Sequence, residues 1–125
     1  MESWDYAQPW YHGSPLELRV LREGSTITQD RHLATVFSHK PTVVSMEDDG
    51  RLRHNGTQPG FLYRIAEPVT AEDVIPHPRT TMKPGDEWLT SRPLRLALIG
   101  TTAPLAEERL MDEDIAALRR RSEGR

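Results

Sequence analysis

The chain has 125 residues, the length of one ordinary domain, and its 36% apolar residues suffice for a single core. Its net charge of -3 provides no broad basic field, so nucleic acid is not favoured as a partner, although charge alone does not exclude it. There are no cysteines, which excludes disulfides, thiolate metal sites and a cysteine nucleophile, and fits a reducing, cytoplasmic setting.

The opening MESWDYAQPW is acidic and lacks the basic and apolar regions of a secretory signal. No run approaches the roughly 20 apolar residues that cross a bilayer, so no membrane partner is expected. Ten prolines and eight glycines cut the chain into short pieces. WYHGS reads as a short strand running into the turn Gly13-Ser14-Pro15. Leu16–Leu21 alternates apolar and charged residues, as a half-buried or edge strand does. Arg22–Thr28 reads as a turn, and Leu33–Ser38, rich in β-formers, as a strand. Pro41 suits the start of a short helix, while Val43 and Val44 equally allow a strand.

Glu47–Gly60 is polar, with turn pairs at Asn55-Gly56 and Pro59-Gly60, and reads as a loop or a hairpin tip around RLRH. Phe61–Ala66 is the clearest central strand. Glu72–Glu87 reads as an irregular connection, and Leu94–Gly100 as the last strand. A helical segment over 103–121 follows: Thr102 caps it, Pro104 starts it, and Leu105, Leu110, Ile115 and Leu118 form its apolar face. Asp112 is placed to cap a second helical piece, and the basic run Arg119–Arg121 complements the C-terminal end of the dipole. There is no internal repeat. The expected fold is one mostly β, α+β domain closed by a C-terminal helix, and the lack of a long apolar stripe elsewhere points to a monomer.

The five histidines, His12, His32, His39, His54 and His77, show no metal-binding spacing, leaving only a site assembled from distant loops. Ser14 has no nucleophile elbow around it. Glu47-Asp48-Asp49 reads as a solvated loop. His12 stands out because it ends a strand beside Gly13, where another molecule can approach the backbone. The plain alternative is a half-buried histidine bonded to a carbonyl. Glu87 stands out at the junction of a polar loop and a bulky aromatic. It reads either as a surface charge or as a carboxylate at the rim of a cleft, able to stabilise an oxocarbenium ion and orient ribose hydroxyls.

Taken in order, several short motifs resemble the ADP-ribosyltransferase superfamily, and within it the small rifamycin ADP-ribosyltransferases. They are Tyr11-His12-Gly13-Ser14, Val36-Phe37-Ser38, Tyr63-Arg64-Ile65-Ala66-Glu67-Pro68, Glu72-Asp73 and Arg92-Pro93-Leu94-Arg95. The resemblance covers roughly residues 10–101 and rests on motif order and spacing. It implies a split β-sheet that grips NAD as a co-substrate, with no metal. On that basis His12 holds the adenosine-side ribose, and the backbone of Gly13 and Ser14 receives the nicotinamide amide. Tyr11, Phe37, Ser38 and Tyr63 become further NAD contacts, the rings being candidates for stacking.

The sequence departs from the pattern twice. Val36 stands where the family carries a tyrosine, and Glu87 stands where the rifamycin enzymes tend to carry serine. The wider superfamily uses a glutamate at the latter position, which implies Glu87 as the catalytic carboxylate, with Asp73 as its rival. The implied reaction transfers ADP-ribose from NAD to a small molecule such as an antibiotic, to a protein or to a nucleic acid, releasing nicotinamide. Three other readings stay open. One is a degenerate NAD-binding or interaction module, which Val36 encourages. Another is an RNA 2′-phosphotransferase-like enzyme, for which Arg51, Arg53 and Arg79 offer only scattered positive charge. The third is a domain whose histidines and aromatics simply pack.

Overall fold

The computed structural model describes residues 4–80 and 82–123. Met1–Ser3 of the opening stretch and the side chain of Arg121 lie outside the description. The described residues are α+β, built from short antiparallel strands in three small sheets. In the first, β1 (Tyr11–Ser14) and β9 (Leu94–Thr102) flank β6 (Gly60–Ile65), and β2 (Val20–Leu21) pairs with the start of β9. In the second, β8 (Trp88–Thr90) lies between β3 (Thr26–Ile27) and β7 (Val74–Pro76). The third is a hairpin of β4 (Val44–Met46) and β5 (Leu52–His54).

The main core joins the first two sheets. Trp10, Leu21, Ile27, Ile65, Val74, Trp88 and Leu94 are buried together, and the Trp10 and Trp88 rings meet edge to face with centroids 5.6 Å apart. Leu33, Val36 and Leu52 form a second cluster between helix α1 (Arg31–Phe37) and the hairpin. Leu62 and Tyr63 face a shifted register on β9, so a bulge at Ile99 interrupts that pairing.

Several sequence expectations are corrected. Leu33–Ser38 is not a strand, because α1 occupies it. Asp30 caps this helix by accepting a hydrogen bond from Leu33 N at 3.1 Å, and Leu33 and Val36, one turn apart, bury the same face on Leu52. Packing outweighs the β preference of Thr35-Val36-Phe37. The turn expected over Arg22–Thr28 contains β3, and the irregular connection Glu72–Glu87 contains β7. Both are too short to display a period of two. Only Val20–Leu21 of the expected Leu16–Leu21 strand pairs with a neighbour. Within Glu47–Gly60, β5 pairs fully with β4, and Gly50 turns between them with φ +88°.

The C-terminal expectation also changes. Strand β9 runs on to Thr102, paired with Gly60, so Thr102 caps no helix. Its hydroxyl instead meets Ser38 Oγ at 2.6 Å. A short 3₁₀ turn covers Ala106–Glu108, and helix α2 (Asp112–Glu123) starts at Asp112. Leu105 is exposed while Leu110 is buried, so the expected continuous apolar face from 105 does not form. No helix among the described residues is long and apolar enough to cross a membrane.

Candidate functional site

Along an extended strand, backbone hydrogen bonds alternate between its two edges. The carbonyl of Trp10 accepts from Ile65 N at 2.9 Å on the β6 side. Tyr11 exchanges two bonds with Thr28 on the opposite side, at 2.7 and 3.0 Å. By this alternation His12 and Ser14 address β6, and Gly13 turns its N–H and C=O to the outer edge. The bridge to Thr28 is isolated and does not extend to Gly13. The carbonyl of Thr26 is taken by a side chain instead, since His12 Nδ1 donates to it at 2.7 Å.

A cleft of about 200 Å³ opens where the first sheet meets the second beneath α1. Tyr11, His12 and Gly13 line it from β1, Thr26 and Thr28 from β3 and its end, Ala34 and Phe37 from α1, and Glu87 from the approach to β8. Its volume is below the roughly 300 Å³ at which pockets for drug-sized ligands begin, so a larger ligand must extend beyond it.

His12 bonds a carbonyl, as the plain reading of a strand-end histidine has it, and also faces the cleft. With Nδ1 donating, the neutral ring keeps Nε2 as an acceptor. Burial pushes its pKa below the ordinary 6.5, against the opposing effect of the Thr26 carbonyl. Glu87 is half-buried. Its backbone carbonyl accepts from His77 N at 3.0 Å, and its Oε1 accepts from Thr80 Oγ1 at 2.5 Å.

Gly13 lines the cleft and is also required by the fold. A Cβ there would lie 1.8 Å from Ala34 O, so the close approach expected at this glycine is made by α1. Val36 points into the second core cluster, so no ring reaches the cleft from that position.

The remaining sequence candidates lie elsewhere. Ser14 is buried, and its Oγ accepts from Leu16 N at 3.0 Å. Ser38 ends α1, where its hydroxyl donates to Thr35 O and so takes its bond from Thr102. Tyr63 is buried, its hydroxyl donating to Leu16 O and accepting from Leu18 N, both at 2.8 Å. Asp73 does not line the cleft. Its carboxylate accepts from Arg92 Nε at 2.8 Å and from Thr70 N at 2.8 Å, and Arg92 also holds Glu67 at 2.7 Å. The Arg92 bond, ahead of the Thr70 backbone bond, holds the Asp73 carboxyl below its ordinary range.

A second group of polar side chains gathers around Glu108. Its carboxylate meets His32 Nε2 at 2.6 Å and faces His54 Nε2 at 3.7 Å, while the buried rings of His39 and His54 stack 5.5 Å apart. His54 Nδ1 accepts from Gly56 N at 3.0 Å, so the proton of the neutral ring sits on Nε2, facing Glu108. Burial first, then His39, pushes the His54 pKa down. A ring nitrogen that carries a proton is no metal ligand, and no convergent group of three metal-binding side chains occurs among the described residues.

Comparison with known protein families, with curated proteins and with solved structures finds no match to this chain. The site therefore rests on its own geometry. Sequence reasoning missed Thr26, Thr28, Ala34 and Thr80. Asp30 followed by Leu33 and Val36 at helical spacing was the available signal for α1 and, through it, for Ala34. Nothing local marks Thr80.

Proposed function

We propose that the chain is an NAD-dependent ADP-ribosyltransferase with a split-sheet fold, working at this cleft. One observation carries the reading: His12 and Glu87, far apart in sequence, face one small cleft at the outward-turned backbone edge of Gly13, with the Tyr11 and Phe37 rings beside them. A carboxamide has one donor and one acceptor face, and the outward N–H and C=O of Gly13 complement both. On this reading the cleft takes the nicotinamide ring and its ribose, with the adenosine half lying beyond it.

His12 Nε2 accepts from a hydroxyl of the nicotinamide-side ribose, the sugar that lies in the cleft on this reading, and not from the adenosine-side ribose that the motif resemblance implies. Glu87 places a negative charge beside the sugar as its bond to nicotinamide lengthens and positive charge develops on the ring. The carboxylate then orients an acceptor hydroxyl, amine or water for attack. This chemistry rests on positioning and one fixed charge, both within reach of a domain of this size. Asp73, already paired with Arg92, takes no part.

The test is nicotinamide release from NAD by the full chain, without an acceptor and then with a panel of small-molecule, protein and nucleic-acid acceptors. Glu87→Gln lowers kcat by about 10²- to 10³-fold with NAD binding retained, His12→Ala weakens NAD binding, and Asp73→Asn leaves release intact. Absence of both release and NAD binding in the wild type overturns the reading. A second reading, an NAD-binding module without turnover, is favoured by the burial of Val36, which deprives the cleft of a ring. It predicts calorimetric NAD binding with no nicotinamide release.

A further inference from the structure

We infer that Thr80 is the positioning residue for Glu87, an inference that rests on the transferase reading of the cleft. Thr80 lies in the loop joining β7 to β8. Its Oγ1 donates to Glu87 Oε1 at 2.5 Å and accepts from Met82 N at 3.0 Å. The Met82 bond fixes the hydroxyl oxygen, and the single hydroxyl proton is directed at the carboxylate. A carboxylate has two oxygens, so one can be held by Thr80 while the other addresses the substrate.

The loop around this pair is closed at several points. His77 N bonds Glu87 O at 3.0 Å, and Asp86 N bonds Lys83 O at 3.2 Å. Trp88 Nε1 donates to Gly85 O at 3.0 Å. Gly85 has φ +91°, and a Cβ on it would lie 2.6 Å from the Trp4 ring, so that ring covers the turn closely. Thr80 thus acts from a braced loop, and a glutamate that would otherwise sample many rotamers is held in one. Charge-assisted hydrogen bonds of this length are also among the stronger ones a side chain makes.

Thr80→Val keeps the shape and removes the hydroxyl, and Thr80→Ser keeps the hydroxyl. For the full chain acting on NAD, Thr80→Val is expected to lower kcat by up to about 100-fold with KM unchanged, and Thr80→Ser to restore most of it. A crystal structure of Thr80→Val is expected to show the Glu87 side chain turned away from its wild-type position. Wild-type kcat in Thr80→Val, a loss in Thr80→Ser as deep as in Thr80→Val, or an unmoved Glu87 in the Thr80→Val crystal overturns the inference. Absence of nicotinamide release from the wild type overturns the transferase reading instead, and the crystal comparison then decides the positioning role by itself.

Discussion

The carbonyl oxygen of Ala34 lies 1.8 Å from the point where a side chain on Gly13 would begin. Ser38 N is the next obstacle, at 2.8 Å, and both are backbone atoms of α1 and its cap, which cannot turn aside as a flexible side chain can. Gly13→Ala must therefore push α1 away from β1. The expected loss of stability is at or above the upper end of the roughly 1–3 kcal/mol typical of overpacking. Gly100→Ala is the control, because a Cβ there meets nothing within 4 Å, and its change should stay within about 0.5 kcal/mol. Urea unfolding of the two variants beside the wild type decides the matter. Equal midpoints for Gly13→Ala and the wild type would show that the helix yields freely.

How far the sequence could be read follows from element length. Strands β6 and β9 carry apolar runs bounded by glycine or proline, and both emerged close to their observed limits. Strand β1 was legible because Tyr-His-Gly-Ser ends in a turn. By contrast, β3 and β7 have two and three residues, too few for alternation to register. Helix α1 was hidden because Thr35, Val36 and Phe37 favour strands in isolation, and only packing on Leu52 decides otherwise. In the site, Tyr11, His12, Gly13, Phe37 and Glu87 were singled out separately and line one cleft. Tyr63 and Ser38 were singled out for polar groups that turn out to serve internal bonds. Thr80 escaped notice because its contact with Glu87 depends on how the loop closes, which no local pattern encodes.

Tyr63 offers a clean separation between a binding ring and a structural one. Its hydroxyl satisfies Leu16 O and Leu18 N together and ties that loop to β6. Tyr63→Phe keeps the ring and strands both backbone groups, at a cost of about 1–3 kcal/mol. Nicotinamide release per folded molecule should be unchanged at a temperature where both proteins are native. A rise in KM for NAD without loss of stability would instead give Tyr63 the binding role that the motif resemblance implies.

Two histidines, half-buried His12 and buried His54, make folding pH-dependent near neutrality. Burial lowers the pKa of both His12 and His54 from the ordinary 6.5. The unfolded chain therefore takes up protons as pH falls through 6.5, while the folded chain resists until lower pH. The unfolded state then binds more protons, so stability declines over this window as the solution is acidified. His12→Asn removes one of the two rings and keeps an amide that can donate to Thr26 O. Urea midpoints at pH 8 and pH 5.5 should differ less in this variant than in the wild type. An identical difference would mean that His12 titrates alike in both states.

Asp73 and Glu67 act in the same sense, at lower pH. Arg92 bonds both carboxylates, and Glu67 also accepts from Arg95 N at 2.6 Å. For Asp73 the bond from Arg92 is the main cause of a pKa below the ordinary 3.8, and for Glu67 the bond from Arg95 N is the main cause of a pKa below 4.5. Depressed carboxylate values contribute stability that is present above the unfolded values and lost as pH falls through the folded ones. Arg92→Gln leaves two neighbouring carboxylates without their shared cation. Its urea midpoint should lie below that of the wild type at pH 7, and the gap should narrow as pH falls, because without Arg92 the variant's carboxyls take up protons before those of the wild type do. A gap that stays constant with pH would assign the loss to packing of the arginine stem rather than to its charge. Nicotinamide release per folded molecule is expected to survive the substitution, because this ion cluster fastens the start of β9 to the Glu67–Asp73 segment outside the residues that line the cleft.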